Sequence, residues 1–326
     1  MNSTSTLSIA PDAPWLAPLA GYSDLSFRLL CRENGCRVAV TEMVSAKGLC
    51  YDSRGTSELL KTTPEDSPLV VQLFGSEIEF IERAMHTLME QGVRYFDLNA
   101  GCPVRKVIKT GCGASLHTNV GLLESIAERM AKIAGPGNCG VKFRRGWVAG
   151  EDNYLDIGKR LQDAGTAWVA LHPRTAKQGY AGEADWSCLK ELSNTIDIPV
   201  IASGDLITAE DGVRCIRETG VQGVMFARGA LYGPTIFNDY LTLLRGEVLP
   251  PRTGQDLAKV ILRHAELSRE HLPERKALLK MRSIVPRYVR HNPGVRKLRT
   301  QLINCDSWEE LESMVLDFLE ANHSAA

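Results

Sequence analysis

The run Asp97-Leu-Asn-Ala-Gly-Cys-Pro103 brings a carboxylate, a carboxamide and a thiol together directly after the apolar pair Tyr95-Phe96. Residues 95–98 read as a short strand, and the Gly and Pro that follow supply the turn chemistry that ends it. Cys102 therefore falls just beyond a strand's C-terminal end. A thiol placed there can act as a general acid, a nucleophile or a metal ligand. Taken alone, a Cys-Pro pair is more often a packed loop thiol, because free cysteines behave as small hydrophobes.

Comparable groups recur along the chain in comparable places. Stretches 15–18, 38–41, 69–72, 95–98, 140–143, 168–172, 199–202 and 223–226 have strand composition. Amphipathic helical patterns occupy 25–33, 78–91, 122–133, 154–164, 186–193, 209–219 and 234–244, and only the crossover around 46–60 lacks a clear period. Strands alternating with helices imply parallel pairing through helical crossovers, and eight such units imply a (β/α)8 barrel over residues 14–249. In that fold the active site forms at the strands' C-terminal ends. Just past the strands stand Pro18, Glu42-Met43, Gln72, Asn99 with Cys102, Lys142, His172 with Arg174, Ser203-Gly204-Asp205 and Ala227-Arg228-Gly229. Each residue has a bland reading as a capped strand end or a solvated charge. Their convergence on one rim weakens all of those readings together. The last two Gly-containing turns precede helix starts, so their N–H groups and Arg228 suit a phosphate.

Composition sets the outer bounds. A chain of 326 residues with 44% hydrophobic content can bury a large core. No run approaches the ~20 apolar residues of a membrane span, and the first residues do not resemble a secretion signal. A soluble cytoplasmic protein is the expectation. Nine cysteines without a Cys-x-x-Cys pair argue against a disulfide framework or a thiolate metal site. The net charge of −1 hides an asymmetry, since residues 250–300 carry thirteen Lys/Arg against four Asp/Glu. That block lies in a wholly helical region, 250–322, with helices expected over 256–270, 274–289, 294–302 and 307–320. A basic helical appendage suggests a polyanion such as RNA, although solvated helix faces would give the same composition. Residues 1–13 read as a disordered tail.

The ordered series Ala17-Pro18-Leu19-Ala-Gly21, Thr41-Glu-Met43, Val71-Gln72-Leu-Phe-Gly75, Asp97-Leu-Asn-Ala-Gly-Cys-Pro103, Gly140-Val-Lys142, His172-Pro-Arg-Thr175, Ser203-Gly-Asp205 and Met225-Phe-Ala-Arg-Gly229 resembles the tRNA-dihydrouridine synthases, closest to their bacterial B-type branch. The resemblance covers about residues 14–320 and implies an FMN-binding barrel followed by a helical tRNA-binding domain. It implies that Ala17, Pro18, Leu19, Met43, Gln72, Asn99, Lys142 and His172 contact the flavin. Ser203, Gly204, Asp205, Ala227 and Arg228 would hold its phosphate. Hydride would pass from FMN to uridine C6, Cys102 would protonate C5, and NADPH or NADH would re-reduce the flavin. Asn99, Arg105, Lys106, Arg174, Arg282, Arg287, Tyr288, Arg290 and Lys297 are the expected tRNA contacts, with the loop at 103–113 as a lid. No metal is implied, and a monomer is expected. Three departures from the family pattern stand out: Ser283-Ile284 where basic residues are usual, Ser203 for Asn, and Ala227 for Gly. A flavin-barrel reductase of a free small molecule and a noncatalytic RNA-binding barrel are the alternatives; the first leaves the basic appendage unexplained, and the second leaves Cys102, Lys142 and His172 unexplained.

Overall fold

The computed structural model describes residues 7–51, 53 and 55–323. Nine strands occur among them: β1 (Trp15–Leu16), β2 (Val38–Val40), β3 (Val44–Ser45), β4 (Leu69–Phe74), β5 (Tyr95–Ala100), β6 (Cys139–Gly146), β7 (Trp168–Thr175), β8 (Val200–Ala202) and β9 (Gly223–Phe226). All pairings are parallel, running β2-β1-β9-β8-β7-β6-β5-β4-β3 with β2 also pairing β4, so the sheet closes on itself. β2 and β3 are one barrel stave in two pieces. Ala39 and Val40 pair with Leu69 and Val70, whereas Val44 and Ser45 pair with Leu73 and Phe74. The break is Thr41-Glu42-Met43, and the Thr41 hydroxyl accepts the Gln72 N–H at 3.1 Å across it. An eight-stave (β/α)8 barrel results, with the expected helices between staves and short helices Ala46–Cys50 and Thr56–Leu59 in the unassigned crossover.

Period-two alternation fills the lumen. Trp15, Val38, Val40, Val70, Tyr95, Trp168, Ala170, Ile201 and Met225 point inward and form an apolar plug. Gly140 is small for a reason: a Cβ there would lie 2.1 Å from the Trp168 indole, which fills that part of the barrel. The opposite faces pack on the helix ring in the larger core.

Part of the N-terminal tail is ordered, contrary to expectation. Leu7 N–H donates to the Tyr95 hydroxyl at 3.2 Å, Trp15 Nε1 to Ser8 O at 3.2 Å and the Tyr240 hydroxyl to Pro11 O at 2.7 Å. Leu7 and Ile9 thereby cover the lower end of the plug. Residues 1–6 of the expected tail lie outside the described residues.

Helices Gly254–His271, Glu274–Tyr288, Val295–Ile303 and Trp308–His323 form the C-terminal bundle. The first opens with a reciprocal capping box between Thr253 and Asp256. It packs on Leu25–Glu33 of the barrel, where Ser26 donates to Leu267 O at 3.0 Å. The second reaches the rim, with Lys280 paired to Asp24. Burial pulls the Lys280 ammonium down, and Asp24 and Glu42 pull it back.

Candidate active site

The parity that fills the plug with apolar residues continues upward with polar ones. Two positions beyond Val70 comes Gln72, beyond Tyr95 come Asp97 and Asn99, beyond Gly140 come Lys142 and Arg144, and beyond Ala170 come His172 and Arg174. All lie on the lumen-facing parity of their strands, and Gln72, Asn99, Lys142, Arg144 and His172 line the hollows at the C-terminal mouth. Two adjoining hollows of about 150 and 270 Å3 share Pro18, Leu19, Lys142, His172 and Tyr180 and together form a trough across that mouth.

The larger hollow holds Cys102, with Met43, Gln72, Asn99 and Arg144 in its wall. Cys102 sits on a turn capped by Asn99, whose Oδ1 accepts N–H groups from Gly101 at 3.2 Å and Cys102 at 2.9 Å. Asn99 Nδ2 donates to Gln72 Oε1 at 2.8 Å, and Gln72 Nε2 donates to Asp97 Oδ2 at 2.7 Å. Arg144 braces the turn from beneath by donating to Gly101 O at 2.7 Å, to Thr175 O at 3.0 Å and to Gly179 O at 2.8 Å. Gly113 closes over the top, where a Cβ would meet Cys102 O at 2.7 Å. Burial raises the Cys102 thiol above its ordinary range, while Arg144 and Lys142 lower it in part. The group is a neutral thiol at neutral pH, which suits an acid more than a nucleophile.

Lys142 and His172 stand between the hollows. Burial and the neighbouring Arg144 bring the Lys142 ammonium down to about 8, with Asp97 pulling it back up. His172 falls well below its usual value through burial and then through Lys142, Arg144, Arg174 and Arg228, so it is neutral. Tyr180 is 63% exposed at the mouth. The Arg144 and Arg228 guanidiniums stand 5.6 and 5.3 Å from its ring centroid.

The smaller hollow is lined by Ala17, Ser203, Gly204, Asp205, Ala227 and Arg228. The N–H groups of Gly204, Asp205, Ala227 and Arg228 take no backbone acceptor among the described residues, and Asp205 holds a left-handed conformation at φ 54°. Four donors at the mouth of one hollow fit an anion. The Asp205 carboxylate does not face it. It accepts both arms of Arg174 at 2.8 and 2.6 Å, Arg228 at 2.8 Å and Ala184 N–H at 2.7 Å. Burial raises this carboxyl, but those partners outweigh burial and leave it below its usual value. Asp205 therefore offers the hollow its backbone alone. Ser203 and Ala227, the two departures here, keep small side chains at the wall.

Arg174 is a correction. It was expected at the substrate, but it is 2% exposed and its guanidinium is saturated by Asp205, Ala181 O and Gly182 O. Its place is beneath the anion hollow. Tyr288 is a second correction: it is buried in the bundle, its hydroxyl 2.9 Å from His264 Nδ1. Arg282 is partly exposed and donates to Ile303 O at 3.0 Å, to Cys305 O and to Asp306 at 2.9 Å, tying two helix ends together. Ile284, at the position where a basic residue was expected, is fully buried. Arg287 stacks on Tyr22 at 4.7 Å, and Tyr22 itself lines the trough. Arg290 lies over Tyr232, and Lys297 is exposed. Arg105 and Lys106 are exposed on the short helix Arg105–Ile108 beside Cys102. The expected lid is tied at Thr110, whose carbonyl accepts from Ser76 at 3.0 Å. Sequence reasoning missed Arg144, Tyr180 and Tyr22; Arg144 was within reach, being two positions past Lys142 on the same strand face.

Among the described residues no helix is long and apolar enough to cross a membrane, and no cluster of His, Cys, Asp and Glu could hold a metal ion. Residues 15–323 match the family model described as dihydrouridine synthase (Dus). The chain is 34% identical over 297 residues to a probable tRNA-dihydrouridine synthase 1 of Synechocystis sp., covering 90% of this chain and 82% of that one. It is 32% identical over 294 residues to the tRNA-dihydrouridine synthase B of Pseudomonas aeruginosa, covering 89% and 88%. Among solved structures, a morphinone reductase variant in complex with tetrahydroNAD superposes with a TM-score of 0.54 at 10% identity, covering 74% of this chain and 90% of that one. This last likeness is one of fold.

Proposed function

The chain belongs to the dihydrouridine synthase family of oxidoreductases, and on that premise we propose that it reduces the C5–C6 double bond of uridines in tRNA, with FMN held in the trough and Cys102 as the proton donor. The observation that carries this reading is a neutral thiol on a braced turn, facing the same trough as Lys142, Gln72 and an anion hollow. The residues present fit FMN: four unpartnered backbone N–H groups and Arg228 suit its phosphate, while Pro18, Leu19 and Met43 give an apolar wall for its ring. When bound and reduced by NADPH or NADH, FMN supplies hydride to uracil C6.

Everything else falls to the chain. Lys142 would set a cation, and Gln72 the edge of its carboxamide, against a flavin bound in the trough. His172, kept neutral, acts as a hydrogen-bonding wall; its Nε2 lies 3.3 Å from Arg174 Nη1. Hydride arrival at C6 leaves negative charge at C5, which must be met by a donor still protonated at neutral pH. Cys102 meets that condition, and Lys142 and Arg144 stabilise the thiolate it leaves. Tyr180 and Tyr22 offer flat rings at the mouth, each backed by guanidiniums, as stacking surfaces for bases drawn out of a folded RNA. Arg105, Lys106 and Lys297 are exposed cations for its phosphates.

Flavin released from the purified protein should run as FMN on chromatography. A colourless protein that cannot be reconstituted with FMN would overturn the reading. Turnover of a free enone or dihydropyrimidine, with none on tRNA, would favour the small-molecule reductase instead.

A further inference from the structure

Asp97 lies under the trough and is 2% exposed. Above it runs a chain of hydrogen bonds whose direction is fixed by the chemistry of its ends. The N–H groups of Gly101 and Cys102 can only donate, so Asn99 must turn Oδ1 toward them. Its Nδ2 then faces Gln72, which must present Oε1. Gln72 Nε2 is thereby turned down onto Asp97, which must accept. Reversing either carboxamide would set N–H against N–H or oxygen against oxygen in a buried site. The heavy-atom distances of 2.7, 2.8 and 2.9 Å leave no room for a water to mediate.

We propose that Asp97 is a positioning residue: as the terminal acceptor it fixes the sense of the Gln72 and Asn99 carboxamides and so locks the turn that presents Cys102. Asp97 touches neither the thiol nor the cofactor hollow. Its neighbours agree with an acceptor role. Burial raises its carboxyl to about 7, while the Gln72 hydrogen bond, Lys142 and Trp168 pull it back toward the ionised form. Without this acceptor Gln72 is free to rotate, Asn99 loses its partner, and the N–H pair at Gly101 and Cys102 loses its cap.

This rests on the proposed reduction for its readout, so wild-type protein with FMN must first convert uridine in tRNA; failure there sinks that reading and not the role of Asp97. Given that activity, two variants of nearly equal size separate the possibilities. Asp97→Leu removes the acceptor, whereas Asp97→Asn keeps an oxygen for Gln72. The rate at which tRNA reoxidises the pre-reduced enzyme should fall about tenfold to a hundredfold in Asp97→Leu and stay within about threefold of wild type in Asp97→Asn. In a Cys102→Ala background Asp97→Leu should cost several-fold less than it does in wild type, because the part that acts through the thiol's placement is gone and only the part that reaches Gln72 and Lys142 remains. Equal losses in Asp97→Leu and Asp97→Asn, or an undiminished effect in the Cys102→Ala background, would overturn the proposal. If Asp97→Leu does not retain FMN, Asp97→Ala takes its place; loss of flavin by both would also overturn it, because a role in barrel stability would then suffice.

Discussion

Replacing Cys102 by alanine isolates the proton-transfer step, because the side chain's bulk contributes little to the trough. Asn99 caps the turn through backbone N–H groups, so the backbone should keep its place in the variant. General acids of this kind contribute about 10²–10⁴-fold, or about 2.7–5.4 kcal/mol of barrel-bound transition-state stabilisation. The half-buried thiol leaves room for water to enter in its place, which favours the lower end of that range. The assay is anaerobic rapid mixing of pre-reduced enzyme with tRNA, following flavin absorbance through one turnover. Flavin content and reduction by NADPH should be unchanged, while reoxidation by tRNA should slow by about a hundredfold or more. The pH profile carries an independent sign. The donor must be protonated, so the rate falls as pH rises through the thiol's pKa. Burial moves that pKa up, so the thiol's fall should come above about pH 8.5, the ordinary thiol value; it follows the separate loss of charge on Lys142 at about 8 and should be missing from the Cys102→Ala profile. Reoxidation within about threefold of wild type in Cys102→Ala would refute the acid role.

Other consequences separate site from scaffold. Arg174→Leu leaves Asp205, partly exposed and still held by Arg228 and the Ala184 N–H, short of its bidentate partner and should cost about 1–3 kcal/mol; the denaturation midpoint and FMN affinity should both drop, and an unchanged midpoint would contradict the assignment. Charge reversal at Lys297 with Arg105 and Lys106 should weaken tRNA binding and flatten its dependence on salt; if neither changes, those cations are solvated surface. Tyr288→Phe removes a hydroxyl from buried His264 and should cost about 1 kcal/mol of stability without altering tRNA affinity, whereas a selective loss of affinity would restore Tyr288 to the interface.

The barrel and most of its rim were legible because both follow from one rule. Side chains on a strand alternate, so a polar residue two positions beyond a plug residue must reach the mouth, as Gln72 does from Val70 and Lys142 does from Gly140. The same rule carries Arg174 inward from His172, but it cannot say that Asp205 waits there to saturate it. That pairing depends on a left-handed residue in another loop, which no spacing along β7 encodes. The helical region misled for a related reason. Tyr288 belongs to a strongly basic segment, yet composition does not say which face of the Glu274–Tyr288 helix meets the bundle. Ile284 and Val285, both fully buried, mark that face. The break in the second stave was invisible because Thr41-Glu42-Met43 has the composition of a strand's continuation. The N-terminal residues were read as a tail for want of charge or period, while their anchors, Tyr95 and Tyr240, lie far along the chain.

Reduction of uridine within tRNA should be visible in the product itself. The most direct test incubates the FMN-loaded protein and NADPH with tRNA transcribed in vitro, and then measures dihydrouridine by mass spectrometry. Stoichiometric dihydrouridine at defined positions, absent with Cys102→Ala under single-turnover conditions, is the predicted result. NADPH oxidation by a flavin-loaded protein with no dihydrouridine in any tRNA would contradict it.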